Sequence, residues 1–177
     1  MKISDIVRAG FLTGIALVAT LAIADTPAHA QEAKLIGTYG DWEAYIRGGK
    51  DDRFCYIVSK PKEASLRSRR GDIFLLVWHR PAKQEFDVVQ IDSGYAFKKD
   101  SEVEIKIGGN EWRLFTRDSN AWTYKGDDDA NIVKAMRKGS RLIVKGTSGR
   151  NNPTTDRYSL KGVTAAHRAM NKACGRS

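Results

Sequence analysis

The chain has 177 residues, with 30 lysines and arginines against 21 aspartates and glutamates, a formal net charge of +9. That length suits one domain with a real core, and the charges are interspersed, which excludes a long single-sign tail. The positive excess points to acidic polymers or anionic lipid surfaces as partners, with solubility as the simpler account.

Residues 1–30 read as a cleavable signal peptide. Lys2 and Arg8 make a basic start, Gly10 to Ile23 is mostly apolar, and Pro27-Ala28-His29-Ala30 offers an A-x-A cleavage site before Gln31. The apolar run is shorter than the roughly 20 residues a spanning helix needs. No cysteine stands just after it to carry a lipid. The expectation is a single exported domain over 31–177, with no transmembrane segment after cleavage. Two cysteines, Cys55 and Cys174, then read as one structural disulfide in an oxidising compartment.

Gln31 to Gly40 reads as a leader. Asp41 to Ile46 alternates polar and apolar, and Phe54 to Ser59 returns as a second strand after the turn Gly48 to Asp52. Lys60 to Gly71 is polar, basic and aperiodic, a surface loop. Ile73 to Trp78 is a continuous apolar run, expected to be central and buried on both faces, and Pro81 ends it. Phe86 to Ile91 forms the next strand. Val103 to Ile107, the turn Gly108-Gly109-Asn110, and Glu111 to Phe115 make the clearest hairpin. Trp122 and Tyr124 mark one more strand. Asp127-Asp128-Asp129 opens a short helix with Ile132, Val133 and Met136 on one face, closed by Gly139. Leu142 to Val144 and Asp156 to Leu160 are strands. A last helix places Val163, Ala166, Met170 and Cys174 on one side. Eight or nine short strands and two short helices predict a mainly β fold. It is an antiparallel β-sandwich with peripheral helices, and a β-barrel is the alternative.

Catalytic signals are poor. His79 and His167 have no Cys, Asp or Glu at zinc-motif spacing, and no nucleophile elbow, phosphate loop or dinucleotide fingerprint is present. The expectation is a non-enzyme without metal or cofactor. Nucleic-acid binding is set aside because the aromatics alternate as core residues and the compartment is wrong. Two basic stretches are the candidate surface contacts. The first holds Arg67, Arg69 and Arg70, followed by Gly71 and Asp72, which spells the Arg-Gly-Asp tripeptide that integrins read on exposed loops. The second, within Lys145 to Asn152, holds Lys145, Thr147, Ser148 and Arg150 around two glycines, in the style of an anion nest.

Several stretches together resemble the invasion-associated locus B family of secreted alphaproteobacterial proteins. They are Gly40-Asp41-Trp42, Cys55-Tyr56 with Lys60-Pro61-Lys62, and Arg137-Lys138-Gly139-Ser140. Val144 to Ser148 with Tyr158 to Gly162 and the Ala-rich helix ending in Cys174 is the most specific. The resemblance implies an exported β-rich protein of the periplasm or outer-membrane surface, linked to host-cell invasion or colonisation. It implies no catalytic residues. Many members carry another cysteine after Gly-Asp-Trp, where this chain has Ala44-Tyr45-Ile46. The expected function is therefore surface interaction with an envelope or host-surface protein, an anionic polymer or a lipid surface. A periplasmic quality-control factor and, more remotely, an envelope-polymer hydrolase are the alternatives.

Overall fold

The structure is a computed structural model that describes residues 32–176. The expected signal peptide and its cleavage site lie outside the described residues. Eleven strands are present there: β1 (Lys34–Tyr39), β2 (Trp42–Arg47), β3 (Phe54–Ser59), β4 (Glu63–Ala64), β5 (Phe74–Arg80), β6 (Glu85–Asp92), β7 (Glu102–Ile107), β8 (Asn110–Arg117), β9 (Asn120–Thr123), β10 (Arg141–Thr147) and β11 (Pro153–Ser159). Two helices, α1 (Gly126–Met136) and α2 (Val163–Ala173), interrupt them. All strand pairs are antiparallel, in the order β1-β2-β3-β5-β6-β9-β8-β7-β10-β11-β4.

This one sheet folds over on itself. Trp42 near one end donates its indole N–H to the Ser159 carbonyl near the other at 3.0 Å, and the Asp41 N–H reaches the Lys161 carbonyl at 3.0 Å. The end strands β1 and β4 do not pair with each other, so the sheet stays an open sandwich rather than the alternative barrel. The strands beyond those expected are β1 and β4. The first is a half-exposed edge strand with a bulge between Leu35 and Gly37, so it carries no alternation. The second is a two-residue bridge from the basic loop onto β11.

One side of every strand except β1 and β4 feeds a single core. Trp42, Ile57, Leu75, Val77, Ile91, Ile105, Leu114, Leu142 and Tyr158 are all essentially buried there. Both helices lay an apolar side into it, α1 through Ile132, Val133 and Met136, and α2 through Val163, Ala166 and Met170. The run Ile73 to Trp78 is not buried on both faces. Leu75 and Val77 point inward, while Phe74, Leu76 and Trp78 are half-exposed on the outer face.

Gly162 fixes where α2 starts. It adopts φ 94°, and a Cβ there would lie 1.8 Å from the Tyr39 carbonyl oxygen. Only glycine allows that approach. At the far end of α2, Cys174 is bonded to Cys55 of β3, with the Cα atoms 6.0 Å apart. Among the described residues no helix is long and apolar enough to cross a membrane.

The acidic triplet at α1 has divided roles. Asp127 and Asp128 sit in the first turn, where they complement the positive helix end. Asp129 is buried, and its Oδ1 accepts the Val89 N–H at 2.9 Å. The β6–β9 ladder runs only from Gln90 to Asp92, so this donor would otherwise be orphaned. Burial pushes the Asp129 carboxyl up to about 6, against the pull of the bonds from Val89 and Thr123. A folded-state value above the unfolded one means that stability from this group is present at low pH and is lost as pH rises through about 4 to 6. Asp129→Asn keeps an acceptor and removes the charge. It is expected to gain roughly 1–2 kcal/mol at pH 7 and nothing at pH 4 in urea unfolding. An equal gain at both pH values would contradict this assignment.

Candidate functional site

The two basic stretches meet in space. Leu66 takes a left-handed conformation (φ 55°) and starts a 3-10 turn over Arg67–Arg69. The β10–β11 connection, residues 148–152, turns through Asn151 at φ 60°. Between them lies a cleft of about 510 Å³ lined by Leu66, Arg69, Arg70, Tyr95, Ser148 and Arg150, among others. Of the candidate residues, the cleft gathers Arg69, Arg70, Ser148 and Arg150. It leaves Arg67, Asp72, Lys145 and Thr147 outside.

Arg70 is not a surface contact. Its side chain is 2% exposed and forms a bidentate pair with Asp156, Nη1 to Oδ1 and Nη2 to Oδ2 both at 2.6 Å. Nε donates to the Ser93 carbonyl at 2.9 Å and Nη1 to the Ser65 carbonyl at 3.1 Å. The guanidinium also lies over the Tyr95 ring. With the arginine turned inward, the Arg-Gly-Asp tripeptide is not displayed as a unit. Asp72 is exposed and pairs with Lys60 at 3.6 Å. The signal that could have found this is the phase of β11: Thr154, Asp156, Tyr158 and Leu160 are the core positions, and a carboxylate among them demands a buried partner.

The second stretch also changes meaning. Lys145 and Thr147 belong to β10, and Lys145 pairs with Glu104 at 2.9 Å on the outer face. Gly146 serves packing rather than an anion nest, since a Cβ there would lie 2.8 Å from the Phe97 ring. Ser148 is buried, and its Oγ accepts the Asn152 N–H at 3.2 Å, which shapes the turn. What remains available is Arg69 and Arg150, both exposed, with Arg67 beside them. None of the three has a carboxylate partner among the described residues.

A cluster with no signature in the sequence lies at the other side of the core. His79, Asp87 and His167 bring one ligand atom each to within 4.8 Å of one another. His79 is fully buried and accepts the Asp87 backbone N–H at Nδ1 (2.9 Å). Its proton therefore sits on Nε2, which donates to Asn171 Oδ1 at 2.6 Å. A metal-bound imidazole needs a free lone pair on one nitrogen and a proton to donate from the other. His79 offers the reverse, so the trio does not fit a metal centre. It acts as a latch that holds α2 to the β5–β6 hairpin, one strand over from the disulfide, because His79 pairs with Cys55. Burial pushes the His79 imidazole below its ordinary value. Burial alone would push Asp87 up. The His167 hydrogen bond at 2.6 Å, His79 and the Arg176 guanidinium at 3.1 Å instead hold it below the usual carboxylate range.

The aromatics correct another expectation. Only Trp42, Phe97 and Tyr158 of the described aromatics are buried in the core. Tyr45, Phe54, Tyr56, Trp78, Phe115 and Trp122 stand half-exposed on the outer face. Their ring faces cover one another, with Tyr45 stacked on Tyr56 at 5.1 Å and Phe54 tilted on Trp78 at 5.4 Å. Arg47 lies over Phe54 and Arg80 over Trp78. The rings thus pack against each other and against cations, and with Phe74 and Leu76 several of them line a groove of about 570 Å³.

The family model described as "Invasion associated locus B (IalB) protein" matches residues 42–171. The chain belongs to the invasion associated locus B family. The match spans both basic loops, the Arg70–Asp156 pair and most of α2. Among solved structures, the chain resembles the invasion associated protein B of Bartonella henselae, at 16% identity and a TM-score of 0.54. The alignment covers 78% of this chain and 95% of that one. At that identity the likeness shows the fold alone. No curated protein matches the chain.

Proposed function

We propose that this invasion associated locus B family member is an exported, non-catalytic protein of the cell envelope. On this reading it acts in host-cell association by binding anionic groups on a surface partner. The observation that carries the reading is the convergence of Arg69 and Arg150, from loops far apart in sequence, on one cleft with no carboxylate partner for either. The N-terminal pattern of residues 1–30 supports export. Membership of a family named for invasion, and a fold shared with the invasion associated protein B of Bartonella henselae, support the link to invasion. The quality-control alternative needs an exposed apolar groove. A groove of about 570 Å³ on the outer face, lined by Tyr45, Phe54, Tyr56, Phe74 and Leu76, meets that need and keeps quality control as the second reading.

Binding of the purified chain to immobilised dextran sulfate tests the reading. Arg69→Ala/Arg150→Ala is expected to weaken binding about tenfold and to reduce its salt dependence, with the thermal midpoint unchanged. Affinity within about twofold of the parent chain would contradict it.

A further inference from the structure

A second basic groove lies at the opposite end of the β10–β11 hairpin. It has a volume of about 630 Å³, and its lining includes Lys106, Lys138, Ser140, Arg141 and Arg157 but no carboxylate. Lys106 is held by Glu104 at 3.4 Å and Glu111 at 3.0 Å, and Arg157 by Glu63 at 3.1 Å. These partners fix two of the cations as walls of the groove. Lys138 and Arg141 have no carboxylate partner among the described residues.

The turn between α1 and β10 holds these two in place. The Lys138 and Gly139 N–H groups both bond to the Ala135 carbonyl, at 3.1 and 2.9 Å. A Cβ on Gly139 would lie 2.7 Å from the Ile107 side chain. The turn is therefore pinned to β7, with Lys138 and Arg141 on either side of it. Lys138 also follows the C-terminus of α1, whose negative end favours a cation and keeps it there.

The two grooves lie at the two ends of β10, the second on its outer face beside Arg141 and Ile143, and the cleft on the inner side beside Ser148 and Thr154. Arg141 opens β10 and Arg150 stands just beyond its end. The six steps from Arg141 to Thr147 cover about 20 Å at the usual strand rise. Lys145 lies between them on the outer face, facing Thr155 of β11. Glu104 neutralises part of that middle stretch, so unpaired charge is concentrated at the two ends.

We propose that the groove at the α1–β10 turn is a second anion site, and that the two grooves hold one acidic polysaccharide that runs along the outer face of β10 and over the β10–β11 turn. This rests on the reading of the cleft given above and adds the ligand's class and its path. A polymer with a charge on each repeat satisfies two separated recesses without any apolar anchor. Of the three exposed large apolar side chains only Leu66 lines a groove, the cleft, and none lines the second, where insertion into a lipid surface would also need one. No aromatic side chain lines the second groove, so it does not offer the stacking that single-stranded nucleic acid uses.

Long-chain heparin and a heparin disaccharide, which cannot span both grooves, are titrated into the purified chain. The comparison includes Lys138→Ala/Arg141→Ala, Arg69→Ala/Arg150→Ala, and their combination. The first variant is expected to lose about tenfold or more in affinity for the long chain, because linked contacts multiply. The slope of log affinity against log salt should fall by roughly one per cation removed. The parent should bind two disaccharides and the first variant one. If that variant binds long heparin within about twofold of the parent while the Arg69/Arg150 variant is weakened, the second site is refuted and the cleft reading stands. If neither variant is weakened, both readings fall. Tighter binding to phosphatidylglycerol vesicles, or to single-stranded DNA of matched charge, would overturn the polysaccharide assignment.

Discussion

Asp156→Asn is expected to destabilise the protein by about 3–5 kcal/mol, because it strands the charge of Arg70 inside the fold. The substitution preserves volume, so the loss is electrostatic. Arg70 and Asp156 are 2% and 3% exposed, and all three guanidinium nitrogens have acceptors. Those acceptors come from three segments, the β4 exit at Ser65, the β6 exit at Ser93, and β11. The arginine is thus the peg on which the loop carrying Arg69 is hung. Replacing both partners by apolar residues, Arg70→Met/Asp156→Leu, should cost less than the single change, since no uncompensated charge remains. Chemical denaturation of the parent and both variants at pH 7 checks this. A single-variant loss under about 1 kcal/mol would remove the pair from this role.

Removing the Cys55–Cys174 bond is the second large effect. The bond closes a separation of 119 residues, and the chain-entropy model gives about 5 kcal/mol for such a loop. Cys55→Ala/Cys174→Ala should lower the thermal midpoint by roughly 10–20 °C for a domain of this size. Both cysteines are buried, so a thiol reductant should open the bond of the parent only after unfolding. The latch of His79, Asn171, Asp87 and Arg176 still ties α2 to the β5–β6 hairpin, so the reduced chain should fold, with a lower midpoint. An unchanged midpoint under non-reducing conditions would show that the bond contributes nothing.

Local patterns carry much of the fold. Alternation on both sides of Gly108, which adopts φ 57°, specifies the β7–β8 hairpin. The three- and four-residue spacing of Val163, Ala166 and Met170 specifies α2 and the side on which Cys174 sits. The edge strand β1 and the two-residue β4 leave no pattern, because neither buries a repeating face. The site is less legible, since its decisive contacts join residues far apart. Arg70 and Asp156 are 86 positions apart, and Asp87 and His167 are 80. A basic run such as Arg67 to Arg70 gives no sign of which arginine turns inward. Only the core phase of Asp156 on β11 hints at it. The aromatic alternation has the strand period but does not tell which face is buried, because cross-strand ring pairs can shield one another without a covering layer.

The measurement that bears most directly on the account is a map of backbone amide shifts as heparin is titrated into the labelled chain. The account predicts perturbations at Arg69, Arg150, Lys138 and Arg141, with the interior pair Arg70–Asp156 unmoved. Perturbations confined to Tyr45, Tyr56 and Trp78 on the outer aromatic face, with both basic grooves silent, would contradict it.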